Sequence, residues 1–135
     1  MNSKLILISI LSLFTASVHA DPDIPQSNHF SAANGTPSAD VTPFVIATAI
    51  AGTRRYVGSW SVVNSDASVG TLVDLMSGST VIDTCSAGAV YASPCVKTYP
   101  KDAFLRSGSN EALSCKARTT SAEVICAVAG YLYTH

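Results

Sequence analysis

Four cysteines, Cys85, Cys95, Cys115 and Cys126, are the residues of this chain with the most chemistry to offer. Thiols can ligate zinc, attack an electrophile or pair as disulfides. A structural zinc site takes about four convergent ligands, and these cysteines have no Cys-x-x-Cys spacing. Nucleophilic catalysis is poorly supplied too. Past residue 20 the histidines are His29 and His135, the latter the last residue. Neither place offers the positioned imidazole that a Ser–His–Asp triad needs. The chain has no Gly-x-Ser-x-Gly, no His-Glu-x-x-His and no phosphate-cradling glycine loop. No catalytic residue, metal or cofactor is expected, and the cysteines read as structural disulfides.

Two other constellations carry possible chemistry. Asp74 and Asp83 flank Ser77-Gly78-Ser79, so a hairpin turning there could bring their carboxylates together. Such a pair could act as the acid and base of a glycosidase. The plainer reading, which we prefer, is the solvent face of a half-exposed strand pair. Lys97, Tyr99, Lys101 and Arg106 cluster on and after an irregular loop fixed by Cys95. Tyrosine with basic residues on a stapled loop is suited to contact a glycan or a partner protein. Arg54-Arg55 reads as a strand start rather than an anion site. Trp60, Tyr131 and Tyr133 read as core or sheet-face aromatics rather than a sugar platform.

The redox state of the cysteines depends on the N-terminus. Lys4 precedes an apolar run, Leu5 to Phe14, that ends in Val18-His19-Ala20. This pattern predicts a secretory signal peptide over residues 1–20, cleaved near Ala20. The exported chain is then secreted or periplasmic, in an oxidising compartment that favours disulfides. The formal charge of −1 becomes slightly more negative once Lys4 is lost. A chain so weakly charged has no electrostatic footprint for nucleic acid. No second apolar stretch is long enough to span a bilayer.

Residues 21–41 are rich in Pro, Ser, Asn and Ala and predict a flexible or extended N-terminal arm, either a plain linker or one docking on a neighbouring subunit. Asn34-Gly35-Thr36 within it is a formal glycosylation sequon. From Thr42 the texture changes to short β-type runs broken by Gly, Ser and Asn. Residues 42–135 are therefore expected to form one all-β domain, an antiparallel sandwich of about eight strands, jelly-roll or Greek-key-like. The runs are Phe44–Ile50, Arg54–Asn64, Val69–Met76, Thr80–Cys85, Ala87–Ala92, Ala103–Arg106, Leu113–Thr119 and Glu123–Tyr133, with Pro94–Pro100 as a loop. In the second run, Tyr56, Trp60 and Val62 are expected on one face and Val57 and Val63 on the other.

The last two runs predict a hairpin in definite register. With the turn centred between Thr120 and Ser121, Cys115 faces Cys126 and Arg118 faces Glu123. Leu113 then faces Val128, and Ala117 faces Val124. Cross-strand pairs of these kinds stabilise a ladder, and opposed positions lie close enough for a disulfide. We therefore expect Cys115–Cys126, which leaves Cys85–Cys95.

Ala51-Gly52-Thr53-Arg54-Arg55-Tyr56-Val57 resembles a recurring module of small tailed-phage and prophage proteins. The hairpin Leu75-Met76-Ser77-Gly78-Ser79-Thr80-Val81-Ile82 and the ending Val124 to Tyr133, with Ala129-Gly130-Tyr131, extend the likeness over roughly 42–134. The signal peptide and paired cysteines are additions to that pattern. The resemblance implies a β-sandwich virion component, in a decoration, tail or fibre-associated role, with no catalytic residues. The sequence thus points to a non-enzymatic exported structural or interaction protein that self-associates or decorates a particle or surface. The second reading is a secreted recognition module that binds glycan or protein through Lys97–Arg106.

Overall fold

The computed structural model describes residues 29–35, 41–66, 68–89, 94–120 and 123–134. The signal peptide, most of the arm, Thr36 of the sequon, His135 and the end of the expected strand Ala87–Ala92 lie outside these residues. The described strands are β1 (His29–Gly35), β2 (Phe44–Ala47), β3 (Thr53–Asn64), β4 (Thr71–Ser77), β5 (Thr80–Ala87), β6 (Cys95–Thr98), β7 (Leu105–Arg106), β8 (Leu113–Ala117) and β9 (Val124–Thr134). A single 3₁₀ turn, Lys101–Ala103, precedes β7.

Two antiparallel sheets pack face to face. Sheet A runs β1–β9–β3–β6, with β7 also beside β3, and sheet B runs β2–β8–β4–β5. The chain pairs as one long ribbon: β1 with β9, β2 with β8, β3 with β6 and β7, β4 with β5. Successive pairs fall in alternate sheets, which is the winding of a jelly roll. The all-β sandwich expected from the sequence is therefore the fold.

Inward positions follow the period of two. Val57, Trp60 and Val62 of β3 and Val124, Cys126 and Val128 of β9 meet Val73 and Leu75 of β4 and Leu113, Cys115 and Ala117 of β8. Full burial of each larger apolar side chain contributes roughly 1.5–3 kcal/mol. The two open sides are pinned differently. On one, Asn34 Nδ2 donates to the Val45 carbonyl at 2.7 Å. On the other, the Cys85–Cys95 disulfide joins β5 to β6 with a Cα separation of 5.9 Å.

Several expectations are corrected. Residues 29–35 of the expected arm form the edge strand of sheet A, fully paired with β9. Phe30 and Ala32 supply a period-two apolar face that packs on the core, though too briefly to stand out among polar neighbours. Residues 95–98 of the expected loop are strand β6, because cross-strand pairing with β3 overrides their weak local pattern. The phase of β3 also changes part-way. A bulge between Val57 and Ser59 adds Gly58 to the strand, so Val57 points inward with Trp60, while Tyr56 points outward with Ser59.

The expected final hairpin does not form. β8 belongs to sheet B and β9 to sheet A. β8 is already flanked by β2 and β4, and β9 by β1 and β3, so neither has a free edge for the other. Cys115 and Cys126 are nevertheless bonded, with Cα atoms 6.6 Å apart. The bond crosses the core between sheets instead of a ladder within one. Arg118 pairs with Asp74 instead of Glu123, whose carbonyl accepts from the backbone N–H of Ser65.

Gly130 marks the tightest backbone approach. A Cβ there would lie 1.9 Å from the Tyr56 carbonyl oxygen, with the β3 bulge immediately beside it. Backbone cannot yield as a side-chain tip can, so Gly130→Ala is expected to lower stability by roughly 1–3 kcal/mol through forced repacking. The urea midpoint measures it. An unchanged midpoint would mean that β3 and β9 can separate here freely.

Candidate functional site

The Lys97 region forms an interior network instead of an open loop. Residues 95 and 97 of β6 point toward the sandwich, and Asp83 of β5 lies opposite Leu75, on the inward side of sheet B. Lys97 Nζ donates to Asp83 Oδ1 at 2.7 Å and to the Thr84 carbonyl at 2.6 Å. Trp60 Nε1 donates to Asp83 Oδ2 at 2.8 Å, and the Tyr99 hydroxyl donates to the same oxygen. Burial pushes the Asp83 carboxyl up, but hydrogen bonds from Lys97, Tyr99 and Trp60 outweigh it and hold the group below its ordinary range. Burial, reinforced by Asp83, pushes the Tyr99 phenol up to about 12. The network ties β3 of sheet A to β5 of sheet B and uses two of the three Lys97 donors together with the Tyr99 hydroxyl.

Asp74 lies between the buried Val73 and Leu75, so it faces outward from sheet B while Asp83 faces inward. Arg118 grips it with Nε at 2.9 Å and a terminal nitrogen at 2.7 Å, and Thr84 Oγ1 donates at 2.7 Å. The Arg118 hydrogen bonds hold this carboxyl below its ordinary range. A bulge between Leu75 and Met76 shifts the hairpin register. The two carboxylates are on opposite faces, and the paired acid–base arrangement is not formed. Among the described residues, no three His, Cys, Asp or Glu side chains gather as metal ligands.

Of the four residues expected to cluster, Lys97 and Tyr99 meet at Asp83, while Lys101 and Arg106 stand apart from them. Lys101 sits exposed on the 3₁₀ turn. Arg106 reaches the outer face of sheet A, its guanidinium 5.5 Å from the Tyr56 ring centroid. Register places His29, Tyr131, Tyr56 and Arg106 in one row across four strands. Tyr131 lies 4.5 Å from the His29 ring and stacks with Phe104 at 5.6 Å. Tyr133 meets Tyr56 edge-on at 6.3 Å, beside Arg54. The neighbouring row is Ser31, Ala129, Ser59 and Thr98, and the next is Ala33, Ala127, Ser61 and Val96.

The second and third rows, with His29 and Tyr131 of the first, line two shallow depressions of about 490 and 370 Å³. The depressions share Ser31, Ser59 and Ala129 and so form one track across the sheet, while Tyr56 and Arg106 stand beside it on the same face. The strands of sheet A carry Arg54, Arg55, Lys97 and Arg106 but no Asp or Glu. The strand carboxylates are both in sheet B. Arg55, from the pair read as a strand start, points inward. It is buried against Phe30, donates to the carbonyls of Thr48 and Glu111, and has its charge disfavoured by burial. No protein-family model matches the chain, and no curated protein sequence matches it.

The sequence reading missed His29, Tyr56 and Arg54 as members of a face. The alternation Arg54-x-Tyr56 and Tyr131-x-Tyr133 was a usable signal. The bulge at Gly58 and the assignment of His29 to the arm concealed the row.

Proposed function

We propose that this protein is an exported, non-enzymatic interaction module that attaches to a particle or cell surface through the outer face of sheet A. The observation that carries this reading is the continuous track of small and aromatic residues on that face, with the cationic Arg106 beside it. Both strand carboxylates being held by cations supports a non-catalytic role. The two disulfides suit an oxidising compartment. No helix among the described residues is long and apolar enough to cross a membrane. Export follows from the signal expected over residues 1–20, with cleavage near Ala20.

Attachment of the labelled mature protein to a panel of bacterial and eukaryotic cell surfaces tests the reading. Ala129→Arg places a bulky cation in the middle of the track. It is expected to reduce attachment at least tenfold while leaving the thermal melt within a few degrees. Equal attachment by the variant would overturn the assignment of the face.

A second reading is favoured by one observation. Val96 is 69 % and Ile125 48 % exposed on the same face, and apolar exposure of this kind suits contact between copies. This is the self-associating, phage-like virion subunit that the sequence resemblance implies. Light scattering on the oxidised protein separates the two, because a concentration-dependent oligomer lost in Val96→Lys supports self-association and a persistent monomer removes it.

A further inference from the structure

The make-up of the track bears on what lies in it. Its floor is Ser31, Ser59, Thr98 and Ala129, and one end is walled by Tyr131 and Phe104. Cores of protein–protein interfaces are depleted in Ser and Ala and enriched in large apolar groups, so this floor is unlike one. Hydroxyls spaced on a flat sheet can instead exchange hydrogen bonds with a ligand that is itself rich in hydroxyls. Rings beside them offer apolar surface for the C–H face of a pyranose. The larger depression, about 490 Å³, is shallow and open to solvent, which suits a ligand lying along the sheet rather than one enclosed in a pocket. Its continuation into the second depression provides length for more than one sugar unit.

Charge narrows the class further. The Arg106 guanidinium is held over the Tyr56 ring and makes no side-chain hydrogen bond among the described residues. A guanidinium stacked on an aromatic ring keeps its edge donors available, and their fork matches a carboxylate. Arg54 lies on the same outward side, opposite Tyr133, and donates to Ser109 Oγ at 3.3 Å. Its Nε is buried without a hydrogen-bond partner. With no acidic side chain on any strand of sheet A, nothing on the sheet opposes an anion beside this row. Asp102 is on the 3₁₀ turn, outside the sheet.

We propose that the track binds an acidic oligosaccharide, with a sugar ring in the larger depression against Tyr131 and the chain continuing along the row past Tyr56, so that a uronate or sialate carboxylate meets Arg106 beside the track. This rests on the outer face of sheet A being the attachment surface. Neutral oligosaccharides lack the group that Arg106 pairs with and bind at least tenfold more weakly. The Lys97 ammonium and the Tyr99 hydroxyl are committed to Asp83, so Tyr99 borders the larger depression without offering its hydroxyl to the ligand.

Calorimetric titration of the oxidised mature protein with trigalacturonate, a hyaluronan hexasaccharide and 3′-sialyllactose tests this, with maltotriose and lactose as neutral probes. The expected result is binding of at least one acidic probe that weakens as salt is raised. It should fall at least tenfold in Arg106→Ala and in Tyr56→Ala, with unchanged melting and unchanged affinity in Lys101→Ala. Arg106→Lys should recover part of the loss, since it restores charge without the fork. Equal binding of neutral and acidic probes would overturn the acidic assignment. No binding of any probe, with cell attachment still lost in Ala129→Arg, would overturn the glycan while leaving the attachment face standing. No binding and Arg-insensitive attachment would remove both.

Discussion

Replacing Cys115 and Cys126 together by alanine is expected to lower the stability of the oxidised protein by about 3 kcal/mol. The bonded cysteines are eleven positions apart, and closing a loop of that length in the unfolded chain supplies most of the effect in the chain-entropy model. Both are completely buried in the core, so the double variant also leaves unfilled space between β8 and β9. The bond joins consecutive strands that are in different sheets, and its loss removes the covalent tie across the middle of the sandwich. The Cys85–Cys95 pair has a similar separation, but Cys95 is only partly buried, on an edge strand. Mild reductant should therefore open Cys85–Cys95 first, with Cys115–Cys126 protected until the sheets part. Differential alkylation with mass spectrometry reads the order. Simultaneous opening of both bonds would show that the core is not shielding the buried one.

Asp83→Ala should produce the second large loss, about 2–3 kcal/mol, because Trp60 and Tyr99 lose a charged acceptor in a mostly buried place. The ion pair itself adds little, since the Lys97 side chain is 36 % exposed and screened. The pH profile identifies the network more sharply than the magnitude does. Asp83 is held below its ordinary value of 3.8. Its stabilisation is complete above that value and disappears as pH falls through the lower folded-state value. Tyr99 behaves oppositely, because its folded-state value is raised from 10.0 to about 12. That stabilisation is complete below pH 10 and is lost as pH climbs toward 12. Urea unfolding across pH should show both limbs in the wild type. Tyr99→Phe should abolish the alkaline limb and, by removing one of the hydrogen bonds that hold Asp83 down, weaken the acid limb in part. Asp83→Asn should instead abolish the acid limb and weaken the alkaline one. A wild-type profile in Asp83→Asn would mean that the network does not couple the sheets.

Much of the architecture was legible because it rests on local rules. The period of two in β3, β4, β5, β8 and β9 requires only that one side of a strand be buried. Gly78, with φ of +54°, occupies the turn that its neighbours in Ser77-Gly78-Ser79 announce. What failed was wherever pairing outweighed local pattern. Residues 29–35 and 95–98 look like connecting chain, yet each becomes a strand by supplying backbone groups to a waiting edge.

The cysteine pairing shows the division clearly. Sequence spacing singled out Cys115–Cys126 by way of a hairpin that does not exist. Two inward residues flanking a tight connection come close whether their strands pair within one sheet or face each other across two. The β class, the disulfide partners and the scarcity of charge follow from residue types and spacing. Which sheet each strand joined depends on packing between distant parts of the chain. That choice also sent Asp74 and Asp83 to opposite faces, drew Lys97 and Tyr99 into the interior and set His29, Tyr131, Tyr56 and Arg106 in one row. Strand order is a competition among edges distant in sequence, and no local pattern records which edge wins.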